Sequence, residues 1–482
     1  MIPLGFDAIR GERSMMGRRE RGQGQFFYAF DLDKVVPADH LVRQIDGVLD
    51  LDWVHKDLAP YYSHTGRPSI DPVLMIRMLI VGYVFAIRSE RRLCSEVQVN
   101  LAYRWFCKLG IEDGVPDHSV FSRARHERFR ESAALRRVFE SVVAKCIAAG
   151  LVGGEGFSID ASLIRADVDK KKRLPGDQPI AWPMAEEASR AVREYLMALD
   201  AAQNREENSE DDDKSAGGSR GKPPKEVSLT DPQAAWVARK KTDPFFAYDA
   251  NYLIDNKAGI IVDAEGTRAN RIAEIAITRT MLDRVGRRFH LRPQRLAGDT
   301  VYGAVRLLKW LVDREITPHI PVWDKSTRSD GTFSRADFAF DRERNVYICP
   351  GGKLLHTTGT VIDGGTLRYR ASKSDCDVCA FKMRCCPRVP MRYVPRDLHE
   401  DARDIARALA KTEAYERSRR ERKKVEMRFA HMKRIFKLDR LRLRGLSGAK
   451  DEVLLTATAQ NLRRLVKFLC RPPPSAAVPC AA

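Results

Sequence analysis

Between residues 156 and 322 the chain alternates short apolar strands with amphipathic helical stretches, and that alternation restricts this region to an α/β sheet. GFSIDASLI (156–164) alternates with a period of two and carries Asp160 at its centre. FFAYDANYLID (245–255) and GIIVDAEGT (259–267) read as two strands joined around Asn256 to Gly259. A helix is expected over about 272–285, then a short strand RLAGD ending at Asp299, a helix over 302–314 and a last short strand ITPHIPV. Sheets of this kind place their sites at strand ends, which is where Asp160 and Asp299 fall. An isolated aspartate in such a place is more often a turn or cap residue, so convergence with a third acid decides between the two readings.

The third acid is in the segment YERSRRERKKVEMRFAHMK (415–433), where Glu426 stands among arginines and lysines. At 100° per residue Arg422 lies one turn before Glu426 and Lys433 two turns after it, on one face. Val425, Phe429, Met432 and Phe436 form an apolar stripe about a quarter-turn away, so one flank packs and its neighbour presents Glu426 between cations. The plainer alternative is a solvated basic helix with an i,i+4 pair of roughly 0.2–0.5 kcal/mol. If Asp160, Asp299 and Glu426 converge they make an all-oxygen cage suited to Mg2+ or Mn2+. Without a cation, two carboxylates about 4 Å apart repel by roughly 4 kcal/mol at an effective dielectric of 20.

Ahead of the sheet, residues 1–150 read as all-helical. Asp71-Pro72 opens a helix to about Arg88, Ser89 caps another to Lys108, Ser119 begins VFSRARHERF, and a fourth helix runs from Ala133 to Ala149. Arg123, Arg125, Arg128 and Arg130 give the third a basic surface that suits a DNA groove; the alternative is a bundle with a solvated face. Residues 204–227 are charged, of low complexity and expected to be a disordered loop. The most apolar run, 73–87, is too short to span a bilayer and contains Arg77, so no membrane partner is expected. The Arg-rich first twenty residues lack a secretory pattern, which leaves Met15 or Met16 as a possible start and the cytoplasm as the expected compartment. A formal charge of +19 calls for a polyanionic partner.

Five of the ten cysteines crowd into residues 349–386. Cys349, Cys376, Cys379 and Cys385, with Cys386 as an alternative fourth ligand, have the spacing of a structural Zn2+ knuckle; reduced, unligated thiols are the other reading. Trp323 is either a core residue or a platform for an extruded base.

These blocks, in this order, resemble the bacterial insertion-sequence transposases of the DDE class, in the branch whose catalytic helix carries Y-x2-R-x3-E-x6-K. Arg422, Glu426 and Lys433 match its last three positions; Arg419 stands where the tyrosine belongs, and Tyr415 lies one turn earlier. GDTVYG (298–303) resembles the second-aspartate motif, which makes Tyr302 a candidate for the site wall. VPADHLVRQID and GRPSIDPVLMIRMLIVGY resemble the helical amino-terminal domain, so the resemblance spans about 36–445. It implies an α/β fold with a ribonuclease-H-like core, a mixed five-stranded sheet with flanking helices. The first aspartate would lie on strand one, the second after strand four, and the glutamate on a later helix. The implied organisation is an all-α end-binding domain (1–150), the first part of the core (151–325), a cysteine-rich insertion (326–400), core helices with Glu426 (401–470) and a flexible tail (471–482).

The activity implied is cleavage at element ends and strand transfer into target DNA. Asp160, Asp299 and Glu426 would hold two Mg2+ or Mn2+ ions, and Arg419, Arg422, Lys433, Tyr302, Arg123, Arg125 and Arg128 would contact DNA. The partners implied are double-stranded DNA, as inverted-repeat ends and target, and a second copy of the chain in a homodimer at the nucleoid. Two other classes fit the same residues: a nuclease of this fold that cuts without joining, and a repurposed zinc-containing DNA-binding protein without chemistry.

Overall fold

The computed structural model describes residues 30–470 apart from 64, 66–68, 209–223, 240–241, 324–329 and 363–364. The possible starts at Met15 and Met16, the tail and the middle of the 204–227 stretch lie outside the described residues. The flanks of that stretch are regular rather than looped: a helix covers Arg190–Asn208, and Glu226–Ser228 pairs with Arg173–Pro175. In the helical region Asp71 accepts from the N–H groups of Val73 and Leu74, and Pro72 sits at the first position, so α1 (Pro72–Val84) begins as its sequence dictates. It ends at Val84, short of Arg88, because Ala86 adopts φ 57°. The stretch from Ser89 to Lys108 is two helices, Glu90–Val99 and Leu101–Phe106, because the Asn100 side chain caps the second. The basic stretch also breaks, into His118–His126 and Arg128–Glu131, at Glu127 with ψ −89°.

After α2 (Ala134–Ala148) come β1 (Gly156–Arg165), β2 (Thr242–Asp255) and β3 (Ile260–Arg268). Then follow α3 (Arg271–Phe289), β4 (Arg295–Ala297), α4 (Val305–Val312) and β5 (Thr317–His319). These strands lie in the order β3-β2-β1-β4-β5. The β3–β2 and β2–β1 pairs are antiparallel, and β1–β4 and β4–β5 are parallel. A sixth strand, Ala235–Arg239, which the sequence did not reveal, pairs with the start of β2. The register sets Ser158 beside Ala297, so Asp160 and Asp299, each two residues further on, emerge level with one another from neighbouring strands.

Between β5 and the final helices, residues 330–397 form a separate antiparallel sheet. Its strands are β6 (Ala339–Asp341), β7 (Val346–Ile348), β8 (Leu354–Ile362), β9 (Thr366–Arg370) and β10 (Tyr393–Asp397), around a small apolar cluster of their own. The chain closes with α5 (Glu400–Leu409), α6 (Glu413–Arg434) and α7 (Gly445–Leu469). Helix α6 crosses β1, β4 and β5, while α7 lies on β3 and packs against α1 and α2. A single apolar cluster therefore runs from the amino-terminal helices through the sheet to α7. Buried polar groups reinforce the join. Glu452 pairs with Arg88 and accepts from the N–H groups of Arg442 and Leu443, both at 2.6 Å. Asn461 exchanges hydrogen bonds with the backbone of Ile261, at 3.0 and 2.7 Å.

Candidate active site

Asp160 is nearly buried, with 14% of its side chain exposed, and its carboxylate accepts from the N–H of Ala161 at 2.9 Å. Asp299 caps the short turn Thr300–Tyr302 by accepting from the N–H of Val301 at 2.8 Å. Parallel strands run about 4.8 Å apart, so the shared level brings the two carboxylates into electrostatic contact. Burial pushes the Asp160 carboxyl up to about 6; Asp299 adds to the rise, and the Arg422 guanidinium and the Ala161 N–H oppose it.

Helix α6 brings the third acid. Its buried face follows helical spacing, with Tyr415, Ser418, Val425 and Met432 inward, Phe429 against Tyr252 at 5.4 Å, and Phe436 just beyond the helix end. The apolar stripe anticipated from the sequence is the one that packs. Polar contacts set its height over the strand ends. Ser418 Oγ bonds His319 Nδ1 at 2.7 Å, and Glu421 meets Arg295 at 3.4 Å and Asn256 at 3.3 Å. Ser418, Glu421, His319 and Arg295 were not singled out from the sequence, although Ser418 and Glu421 fall on the same helical face as Val425.

Held in this way, Arg422 spans the site, with Nη2 at 3.4 Å from Asp160 and Nη1 at 3.9 Å from Glu426. Its buried Nε has no acceptor among the described residues. Glu426 itself is more than half exposed, at 57%.

The residues expected to contact DNA divide. Arg123 and Arg419 are exposed, Arg419 in an ion pair with Glu416 at 3.0 Å. Arg128 is half-buried over the ring of Tyr62. Lys433 is half-buried and donates to the carbonyl of Leu163 at 3.0 Å; burial lowers its ammonium pKa, with Arg239 adding to the effect.

Two expectations are overturned. Arg125 is not on a basic surface: it is 3% exposed, paired with Glu90 at 3.2 Å and donating to the Tyr83 hydroxyl at 3.0 Å. Tyr302 is not a wall open to DNA, because it is fully buried and its hydroxyl donates to Glu274 at 2.8 Å. Burial, then Glu274, Asp160 and Asp299, hold that phenol well above its ordinary pKa. It lies beneath the acids as support. Trp323 is 39% exposed and its N–H donates to Gly303 at 3.1 Å.

Among the described residues no three His, Cys, Asp or Glu side chains are drawn around one point closely enough to hold a metal ion. Cys349, Cys376, Cys379, Cys385 and Cys386 nevertheless line one small cavity. Nor, among the described residues, is any helix long and apolar enough to cross a membrane.

Fold and site together define a mixed α/β protein whose adjacent strand ends present two aspartates beneath a basic helix that carries a third acid. Comparison with known families makes the class specific. Residues 30–127 match the family model described as a transposase domain (DUF772), and residues 348–466 match the model described as a transposase DDE domain. Both matched segments are thus of transposase type, the second of the DDE class. The second match contains α6 and Glu426, whereas Asp160 and Asp299 fall between the two matched segments. Neither a curated protein nor a solved structure matches closely enough to add to them.

Proposed function

We propose that the chain cuts DNA at the ends of an insertion element and joins the freed 3′ hydroxyl to target DNA, using divalent ions held by Asp160, Asp299 and Glu426. The observation that carries this reading is the shared level of Asp160 and Asp299 on parallel neighbours, with Arg422 reaching from Asp160 to Glu426. A mixed sheet with Asp160 on β1 and Asp299 after β4 supports the ribonuclease-H-like core that the sequence resemblance implies.

The donor set fits a hard divalent cation: all three groups are carboxylates, two are neighbours, and the cation that bridges them among the described residues is a guanidinium with an unused Nε. Glu426, more than half exposed, has room to turn toward Asp160. Bound Mg2+ or Mn2+ would supply activation of a water or 3′ hydroxyl and stabilisation of the leaving oxygen.

The protein's own residues do the positioning. Arg422 turns its donors from the carboxylates to a terminal phosphate, which a planar guanidinium grips with two parallel bonds. Lys433, anchored on Leu163, places a second positive charge about three turns along the same helix. Arg419 and Arg123 are exposed and suited to phosphates further from the cut. A homodimer on paired ends completes the reading.

The test is an end-cleavage and joining assay with Mg2+, using a 3′-hydroxyl donor end and a supercoiled target. Asp160→Ala, Asp299→Ala and Glu426→Ala should each abolish cleavage, with end binding within about threefold of the parent by gel shift. Full cleavage by Glu426→Ala would refute the assignment. Cleavage without joined product would reassign the chain as a nuclease of this fold.

A further inference from the structure

We infer that the sheet formed by residues 330–397 is clamped by one structural Zn2+ ion, held by the thiolates of Cys349, Cys376, Cys379 and Cys386. This inference is independent of the strand-transfer reading and concerns a different part of the molecule.

Five cysteines line one small cavity of about 20 Å³, with Lys353, Ala371, Asp375, Lys382 and Arg392 completing its wall. That is room for a single water-sized occupant. Two short elements and a turn supply the thiols. Cys349 follows β7 and begins a tight turn in which its N–H donates to the carbonyl of Lys353 at 2.9 Å, with Gly352 at φ 74°. Within that turn the Lys353 N–H donates to the Cys349 sulfur at 3.3 Å. Gly351 brings a second sulfur close: a Cβ at that position would lie 3.7 Å from Cys349 Sγ and 3.6 Å from Cys379 Sγ. From the other side come Cys376, on the helix Lys373–Asp377, and Cys386, just past the helix Lys382–Cys385.

The fourth ligand is Cys386 because its thiol is within hydrogen-bonding reach of Cys376, whereas Cys385 contacts Cys386. Four thiolates around Zn2+ leave a net double negative charge, and Lys353, Lys382 and Arg392 on the cavity wall oppose it. Cys349 and Cys379 are only partly buried, so their side chains can turn inward to the Zn–S distance of about 2.3 Å.

A second argument comes from the size of the core. Apart from three cysteines, the buried apolar cluster of this sheet consists of Phe333, Phe338, Tyr347, Leu355, Tyr369, Ala371 and Val394. A unit of fewer than about 70 residues with so little to bury ordinarily needs a disulfide or a metal. The five cysteines are all free. An ion at this point would tie the turn after β7 to the segment between β9 and β10, elements that share no backbone pairing.

The full-length chain, purified without chelator and passed through gel filtration, should carry about one zinc per chain by mass spectrometry of the metal. Replacing zinc with Co2+ in the unmutated chain should produce thiolate-to-metal charge-transfer absorption and tetrahedral d–d bands. Cys379→Ser and Cys386→Ser should lose the metal and expose 330–397 to proteolysis, while Cys385→Ser, Cys107→Ser and Cys146→Ser keep both. Substoichiometric zinc together with a Co2+ spectrum lacking thiolate bands would overturn the site. Loss of metal in Cys385→Ser with retention in Cys386→Ser would overturn the choice of fourth ligand.

Discussion

Arg422 occupies the position between two acids that a metal-loaded site would give to a cation, and its removal separates two roles. Arg422→Ala should leave Asp160 more exposed to the charge of Asp299 and weaken the grip on a DNA end. A tenfold or greater loss of cleavage, with a smaller loss of non-specific binding, is expected from parallel cleavage and gel-shift titrations. Asp249 offers a test independent of DNA. It is 7% exposed, and burial, with the charge of Glu274 adding to it, pushes its carboxyl up to about 7 from 3.8; Arg239 and Lys433 oppose the shift. A carboxyl raised in the folded state takes up a proton on folding. Its penalty is absent below the unfolded value, grows as pH rises, and is complete above about 7. Asp249→Asn should therefore be more stable than the parent at pH 8, by roughly 1–3 kcal/mol, with the gain shrinking toward pH 5. Equal urea midpoints at pH 8 would show that the charge is otherwise compensated. At this scale the strand-end positions of Asp160 and Asp299 and the helical face of Glu426 were legible from period and spacing, whereas their reading as one site came from the family resemblance. Arg125 and Tyr302 were misread because their burial depends on long-range packing that local pattern does not encode: Glu90 and Tyr83 for one, Glu274 for the other.

Elements are fixed by a few close approaches. A Cβ on Gly303 would lie 2.1 Å from the carbonyl of Pro321 and 2.6 Å from the N–H nitrogen of Trp323. Gly303→Ala should thus push the turn after Asp299 away from the end of β5 and destabilise the chain by about 1–3 kcal/mol, measurable by chemical denaturation. Glu400 ties α5 to the start of the cysteine-rich sheet. Burial opposes its charge, but Arg335 at 2.7 Å, with Arg403 and Arg407, outweighs it and holds the carboxyl down at about 2. A depressed carboxyl stabilises the fold above its unfolded value and loses that effect as pH falls toward 2. Glu400→Gln should cost about 3 kcal/mol at pH 7 and progressively less below pH 4. The helices and core strands followed from capping and period. The breaks at Asn100 and Glu127, and the edge strand Ala235–Arg239, did not: a polar cap inside an apolar pattern and a strand defined only by its partner are weak local signals.

Across the whole molecule, charge and core make separate predictions. Between residues 401 and 444 there are sixteen Lys or Arg against seven Asp or Glu, an excess of nine. Neutralising about six phosphates would lower DNA affinity by about three decades between 50 and 200 mM salt, and a flat log–log slope would remove the basic face from the account. The shared apolar cluster predicts that the amino-terminal helices unfold together with the sheet in one transition, while chelation loosens only residues 330–397. Helix α7 has a further consequence, for synthesis. It is the last helix made among the described residues, yet it fills the space between the earliest helices and β3. On the ribosome those earlier parts must wait, with apolar faces uncovered, until residues 445–469 emerge. A nascent chain stalled before Gly445 would already contain all three acids and still lack the strut that sets one half of the protein against the other. On the function proposed above, chemical competence on DNA is thereby deferred until residues 445–469 have been made.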